Sequence, residues 1–267
     1  MKYDICVIGG AGHVGLPLAI AFAREGKKVV IYDIDASALR TIEAGRMPFL
    51  EEGAEDILKE VIHKTLFTSS VPEVIADSRY VVVVIGTPVD EHLNPKFTDM
   101  KRFFEKIQDH LRDGQIVILR STVYPGISKK IRELLRRKFP RIEVCFCPER
   151  ILEGKAMEEL YALPQIVSGF EERAIAEVAD LFRSLTQDVL VVSPMEAELA
   201  KLFTNSWRYI QFAIANQFYM IAEEYEVDFY NIFHAMTFNY PRTKGFPRPG
   251  FAAGPCLFKD TDRKSVV

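Results

Sequence analysis

Short apolar runs alternate with amphipathic stretches along the first half of the chain, the pattern of a parallel sheet wrapped by helices. The runs Asp4–Ile8, Val29–Tyr32, Leu66–Thr68, Tyr80–Ile85, Ile116–Leu119 and Val144–Cys147 predict strands. Most are apolar throughout, as strands covered on both faces should be. Between them, Val14–Glu25, Ala36–Glu43, Ala54–His63, Met100–Leu111 and Ile127–Lys138 predict helices. In the last, Ile127, Ile131, Leu134 and Leu135 fall at helical spacing while Lys and Arg take the rest of the surface.

A strand at Ile166–Ser168, a helix at Glu172–Ser184 and a strand at Val189–Val192 are expected to complete or extend the sheet. Beyond Pro194 the pattern changes. Met195 to Tyr225 runs without Gly or Pro and predicts one long helix, suited to a spine between two domains. Tyr240 to Pro255 is crowded with Pro and Gly and predicts a loop. The expected division is 1–193, a doubly wound α/β domain, then 194–261, a mainly α-helical central domain reached through the long connecting helix. The last six residues, 262–267, are expected to be a non-native tail on a truncated frame.

Composition narrows the functions open to such a fold. Of 267 residues, 48% are hydrophobic and 27% charged, as in ordinary globular domains. Lys+Arg of 34 against Asp+Glu of 37 gives a net charge of -3, which offers no general attraction to nucleic acid or anionic lipid. No apolar run is long enough to span a bilayer, and glycines interrupt the first one too early for a signal peptide. Cys6, Cys145, Cys147 and Cys256 are not spaced as a disulfide framework, so the expectation is a reduced, cytoplasmic protein. Cys145 and Cys147 alternate onto one strand face and read as core thiols, and no metal is expected.

Gly10-x-Gly12-x-x-Gly15 follows a predicted strand and opens a predicted helix. Gly10 is expected to permit the tight turn, Gly12 the close approach of a pyrophosphate, and Gly15 close helix–strand packing. The helix N-terminus faces the anion. Asp33 ends the second strand about 20 residues on, where an acid accepts hydrogen bonds from the adenosine ribose and repels the extra phosphate of NADP. The expected cofactor is therefore NAD, on a Rossmann-type sheet, with His13 and Val14 completing the turn. Thr87, in Gly86-Thr87-Pro88, and Thr122, in Ser121-Thr122-Val123, follow strands at the same edge. Each alone is more often a cap or turn. Beside a dinucleotide site they become candidate contacts.

Four later segments bring reactive groups. Pro148-Glu149-Arg150-Ile151-Leu152-Glu153-Gly154 leaves a strand with two carboxylates. On the long helix, Lys201 and Asn205 are spaced by four and share one face, a pair of donors for a developing oxyanion. Either would otherwise belong to a solvated face. Cys256 sits in a Gly-rich loop beside Lys259-Asp260, where a thiol can gain a lowered pKa and access, although a lone cysteine is more often buried and inert. Arg242, in Tyr240-Pro241-Arg242-Thr243, is a candidate phosphate or sugar contact.

Taken in order, the fingerprint, Ser121-Thr122-Val123, Pro148-Glu149, Lys201/Asn205 and Cys256-x-x-Lys259-Asp260 resemble the UDP-glucose/GDP-mannose dehydrogenase family over nearly the whole chain. Its members oxidise the 6-hydroxymethyl group of a nucleotide sugar to a carboxylate with two NAD. The resemblance implies Cys256 as nucleophile through a thiohemiacetal and a thioester, and Lys201 and Asn205 as oxyanion donors. It implies Asp260 as an aid to water or proton transfer, and Thr122 and Glu149 beside the reacting centre. Glu153 would contact the cofactor or order its loop, while Glu149, Lys201, Asn205, Arg242, Phe251 and Gly254 would line the sugar. A homodimer through the long helix and a role in polysaccharide biosynthesis follow as expectations.

The departures are specific. Ala252-Ala253 stands where the family has paired glycines, one residue is inserted before Cys256, and Phe258 replaces a frequent proline. The Lys259-Asp260 ending resembles the UDP-glucose branch more than the N-acetylhexosamine branch, so a UDP-glucose-like sugar is the first expectation and a UDP-N-acetylhexosamine the alternative. The resemblance implies a third domain that completes the nucleotide pocket, and this sequence is expected to be a truncated frame without it, which leaves a non-catalytic NAD or nucleotide-sugar binding fragment as a further alternative. A two-electron dehydrogenase sharing only the NAD domain is the last.

Overall fold

The computed structural model describes residues 1–86 and 97–250; the expected contacts Thr87, Phe251, Gly254, Cys256 and Asp260 lie outside them. The chain divides into two compact units. Among the described residues one comprises 1–86 and 97–199, and the other begins at Ala200.

The first unit opens with β1 (Tyr3–Ile8), α1 (Gly15–Arg24), β2 (Val29–Tyr32), α2 (Ala36–Glu43), α3 (Ala54–Val61) and β3 (Leu66–Ser69). It continues through α4 (Glu73–Ala76), β4 (Ser78–Val83), α5 (Phe97–Ile107), β5 (Ile116–Leu119), α6 (Ile127–Arg136) and β6 (Glu143–Phe146). Six strands form one parallel sheet in the order β3-β2-β1-β4-β5-β6. The order turns back between β1 and β4, so the loops after these two strands diverge and leave a crevice at the carboxyl edge. Register there is firm, with Ile5, Cys6, Val7 and Ile8 opposite Tyr80, Val81, Val82 and Val83.

Alternate strand residues feed two apolar layers. Ile5, Val7, Val29, Ile31, Val82, Ile116 and Ile118 join one buried cluster with Leu16, Leu18, Ile20 and Phe22 of α1 and Ala54 and Leu58 of α3. α5 and α6 bury Phe104, Ile107, Ile131 and Leu135 apart from that cluster. Covering both faces explains why the strands carry no polar face.

Then follow α7 (Ala156–Ala162), β7 (Gln165–Val167), α8 (Glu172–Arg183), β8 (Val189–Val191) and α9 (Pro194–Glu224). β7 and β8 were expected to extend the main sheet; instead they form a separate parallel pair. Ser168 meets Phe146 in a single antiparallel bridge, with Phe146 N–H donating to Ser168 O at 3.0 Å and Ser168 N–H returning at 3.1 Å. The contact is confined to that one bridge and builds no ladder, so the six-stranded sheet ends at β6.

The second unit holds the rest of α9, then α10 (Phe229–Thr237) and a 3-10 turn at Pro241–Thr243. Asp228 caps α10, its side chain accepting from Tyr230 N–H at 2.8 Å. Aromatic rings hold this unit together: Phe246 packs on Phe218 at 5.7 Å and on Phe233 at 6.2 Å, and Phe229 on Tyr219 at 5.8 Å.

Candidate functional site

The glycine turn differs in one detail from its sequence reading. Gly9, not Gly10, takes the left-handed conformation, at φ +75°. Gly10 is required for space, since a Cβ there would lie 2.8 Å from Val7 O and 2.9 Å from Ile31 Cγ2. A Cβ on Gly15 would lie 2.6 Å from Gly10 Cα, which lets α1 start against the sheet. Gly12 is exposed, and a Cβ on it would meet only Gly9 O, at 3.7 Å. The backbone at Gly12 is therefore uncrowded, as backbone that must accept a pyrophosphate requires.

Asp33 is tied to this turn. Its Oδ2 accepts from Ala11 N–H at 2.9 Å and its Oδ1 from Asp35 N–H at 3.0 Å. The carboxylate is thus held beside the glycine turn at the end of β2, where a ribose can reach its remaining lone pairs and an added phosphate would be repelled. His13 stacks on Phe49 with ring centroids 3.9 Å apart, and Val14 precedes α1 in helical conformation. The residues present fit an NAD-type dinucleotide.

β5 and β6 carry the other two loops. Ser121 Oγ donates to Ile85 O at 2.5 Å, fastening the start of the Thr122 loop to the end of the β4 segment. Thr122 itself is half-buried, and Glu153 is exposed. Glu149, by contrast, is buried. Its Oε2 accepts from Arg120 Nε at 3.1 Å and from Arg120 Nη2, and its Oε1 accepts from Arg150 N–H at 2.7 Å and Ile151 N–H at 3.1 Å. Burial disfavours its charge, but Arg120 and the two backbone donors outweigh that and hold the carboxyl below the usual carboxylate range.

Sequence reasoning missed the charges that brace these loops. Arg120 is fully buried, donates also to Gln165 Oε1 at 3.3 Å, and lies over the Phe182 ring at 4.9 Å. Glu51 is buried and accepts from Gly154 N–H at 2.9 Å and Met157 N–H at 3.4 Å. Glu198, in the second turn of α9, is buried and accepts from Gly126 N–H at 2.6 Å, Ser128 N–H at 2.9 Å and Ser128 Oγ at 2.6 Å. Glu149, Glu51 and Glu198, the buried acids among the described residues, all hold backbone N–H groups of loops that follow strands. One signal was available: Arg120 is a charge appended to the apolar run Ile116–Leu119.

In the second unit, Lys201 is half-buried and Asn205 is buried, one helical turn apart on α9. Asn216, eleven residues beyond Asn205 and so on the same face, exchanges two hydrogen bonds with the backbone of Gly250, at 2.8 and 2.7 Å. That clamp holds the chain just before the segment that contains Cys256. Arg242 is exposed and pairs with Tyr240, Nη1 donating to the phenol at 3.0 Å. The thiols of Cys6, Cys145 and Cys147 are all buried; burial raises each, Cys147 to about 12, so none is a candidate nucleophile. Among the described residues no helix is long and apolar enough to cross a membrane.

Two family models match the chain. One is the UDP-glucose/GDP-mannose dehydrogenase family, NAD binding domain, over residues 3–186; the other is the central domain of the same family, over 195–263. Among curated relatives, UDP-N-acetyl-D-mannosamine dehydrogenase of Pyrococcus horikoshii is 31% identical over 260 residues, covering 94% of this chain and 61% of that protein. The Escherichia coli K12 protein of the same name is 27% identical over 274 residues, covering 97% and 64%. The chain spans about three fifths of the length of these relatives. A solved structure of the Pyrococcus horikoshii dehydrogenase superposes with a TM-score of 0.88 at 29% identity, covering 96% of this chain and 62% of that one. A UDP-glucose dehydrogenase from Pyrobaculum islandicum, at 24% identity and a TM-score of 0.85, shares the fold over 99% of this chain and 63% of its own. With a glycine turn and ribose acid built for NAD and both family models covering it in order, the chain belongs to the UDP-glucose/GDP-mannose dehydrogenase family, and NAD is its cofactor.

Proposed function

We propose that this chain carries the cofactor-binding and catalytic parts of a nucleotide-sugar 6-dehydrogenase, which oxidises the C6 hydroxymethyl of a UDP-linked hexose to a carboxylate. The observation that carries this reading is the order of the two family matches over one chain, 3–186 then 195–263. The sugar we infer is a 2-acetamido hexose, because the curated relatives are named for UDP-N-acetyl-D-mannosamine. UDP-glucose is the second reading, favoured by the Lys259-Asp260 ending.

NAD supplies the hydride acceptor, twice per sugar. In this reading the first oxidation gives an aldehyde, the alcohol proton leaving to a base. The Cys256 thiolate then adds to the carbonyl, and Lys201 and Asn205 donate to the oxygen that becomes anionic. Loss of a second hydride leaves a thioester, and water, helped by Asp260, releases the acid and the thiol. Thr122 and Glu153 lie on loops at the cofactor edge, with Thr87, Phe251, Gly254 and Arg242 as further candidate contacts. We place the working division of the chain near residue 194 and the protein in the cytoplasm.

We also propose a homodimer through α9. Phe203, Trp207, Ile210, Ile214 and Phe218 recur at helical spacing along it and are 54%, 59%, 43%, 41% and 38% exposed.

The test is NADH formation with UDP-N-acetylmannosamine, UDP-N-acetylglucosamine, UDP-glucose and GDP-mannose. Two NADH per sugar and no free aldehyde are expected. One NADH with aldehyde release would make it a two-electron dehydrogenase, and NAD binding without any turnover would make it a binding module.

A further inference from the structure

The segment between α2 and α3, Met47-Pro48-Phe49-Leu50-Glu51-Glu52-Gly53, turns neighbouring side chains in opposite directions. Leu50 is 92% exposed, whereas Glu51 is 5% exposed and Met47 and Phe49 pack against the main apolar cluster of the sheet. A buried acid needs donors, and those of Glu51 come from 103 and 106 positions away. Its Oε2 accepts from Gly154 N–H at 2.9 Å and its Oε1 from Met157 N–H at 3.4 Å. The neighbouring Glu52 N–H donates to Gly154 O at 3.4 Å. Both backbone groups of Gly154 are therefore held by one segment.

Gly154 belongs to a tight turn. Lys155 N–H donates to Leu152 O at 3.0 Å, Leu152 N–H donates to Glu159 Oε2 at 2.6 Å, and Gly154 takes φ +86°, a conformation that favours glycine. Exposed in the middle of this turn, next to Gly154, is Glu153. Two residues before Glu51, the Phe49 ring stacks on His13, centroids 3.9 Å apart and planes 30° apart. His13 directly follows Gly12, whose backbone is open to a pyrophosphate. One short segment thus grips the glycine turn with Phe49 and the Glu153 turn with Glu51. Neither grip belongs to the strand pairing of the sheet.

We propose that residues 47–52 form a strap at the cofactor edge, in which Glu51 is a positioning residue for NAD: with Phe49 it sets the spacing between the glycine turn and the Glu153 turn before the cofactor arrives. Glu51 acts through the backbone of Gly154, and Phe49 through His13. A ligand that meets two turns already at their bound spacing spends no affinity on ordering them. The inference rests on the reading of the Glu153 loop as part of the cofactor edge, and not on which sugar is oxidised.

Calorimetric titration of the full chain with NAD, beside amide exchange at Gly154, tests it. Glu51→Ala should raise the Kd for NAD about tenfold and Glu51→Gln less, since an amide keeps one acceptor oxygen. Phe49→Ala should raise it about fivefold. Although that change removes none of the partners of Gly154, it should also speed exchange at the Gly154 amide. The double variant Phe49→Ala/Glu51→Ala should fall well short of the product of the two single effects, because a strap cut at one end no longer spaces the turns. An NAD affinity in Glu51→Ala equal to that of the wild type, with Gly154 exchange nonetheless faster, would make Glu51 a structural brace and overturn the proposal. So would single effects that multiply in the double variant. Should Glu51→Ala fail to fold, Glu51→Gln takes its place in the same cycle. Glu153→Ala keeps the two readings apart: an unchanged Kd there would remove Glu153 as a contact, while the Phe49–Glu51 cycle still decides for or against the strap.

Discussion

A methyl group added at Gly15 would lie 2.6 Å from Gly10 Cα and 2.8 Å from Val84 Cγ2, whereas one added at Gly12 finds nothing nearer than Gly9 O at 3.7 Å. The same substitution should therefore act on different steps. Gly15→Ala is expected to destabilise the fold by about 1–3 kcal/mol through overpacking, with NAD affinity falling alongside. Gly12→Ala should leave the urea midpoint unchanged and still lower NAD affinity at least about tenfold, because only the bound pyrophosphate needs that space. Calorimetric titration with NAD beside urea melts separates the two cases; equal melts for both variants would refute the packing argument. Glu149 gives a second prediction. Its folded carboxyl is held below the usual range, so its contribution is present above the unfolded value and is lost as pH falls through the depressed one. Unfolding free energy should drop on acidification below that range. Glu149→Gln should begin about 3–5 kcal/mol lower, because Arg120 loses its counterion, and then decline less steeply. The glycine turn and Asp33 were legible in sequence because their chemistry is local and backbone-driven. The Arg120–Glu149 pair was not, since 29 positions separate them and 103 separate Glu51 from Gly154, and a linear pattern holds no pairing information.

At the scale of elements, periodicity located the six sheet strands to within two residues, and it failed where neighbours rather than patterns decide. The run Tyr80–Ile85 was expected as a strand, but β4 is Ser78–Val83, because polar Ser78 and Arg79 begin the strand opposite Tyr3 and the apolar Val84 and Ile85 lie past its end. The four-residue α4 and seven-residue α7 had no expectation at all, being too short for a stripe to stand out, and nine-residue α10 had none either. α6 shows how one element depends on another. Its N-cap is Gly126, at φ +89° and without a side chain to accept from the first turn. Glu198, 70 positions away from Ser128, does that work from α9. Glu198→Ala should cost about 2 kcal/mol, from a lost cap and lost bonds to a charge, and should deprotect the Ser128 amide first. Glu198→Gln should keep roughly half of that, since an amide presents one acceptor oxygen in place of two. A Ser128 amide as protected in Glu198→Ala as in the wild type would contradict the capping role.

Across the whole molecule, the two units are held by different forces, and this decides how each should respond to change. The first is a sheet with two covered faces and buried acids bracing its loops, so it should melt as one body and gain stability from NAD alone. The second is built on α9 and α10, whose aromatic contacts leave a long row of apolar side chains in contact with water. Trp207 is 59% exposed and Phe203 54%, and Ile210, Ile214 and Phe218 continue the row at spacings of three and four. Single exposed apolar residues need no explanation, but a run of them along several turns of one helix is what the proposed dimer rests on. A second copy of the same helix is the occupant that closes by symmetry, because each stripe then meets itself and no free end remains to propagate. A stable interface of that kind buries about 800 Å² on each partner, of which these side chains would form the apolar centre. Trp207→Glu places a charge within the stripe, where pairing would bury it against the apolar side chains of the second copy. Sedimentation velocity should then show the wild-type chain as a dimer and Trp207→Glu as a monomer, with the far-ultraviolet dichroism of the two alike. A wild-type chain that sediments as a monomer across the micromolar range, or a Trp207→Glu variant that remains dimeric, would remove α9 as the interface.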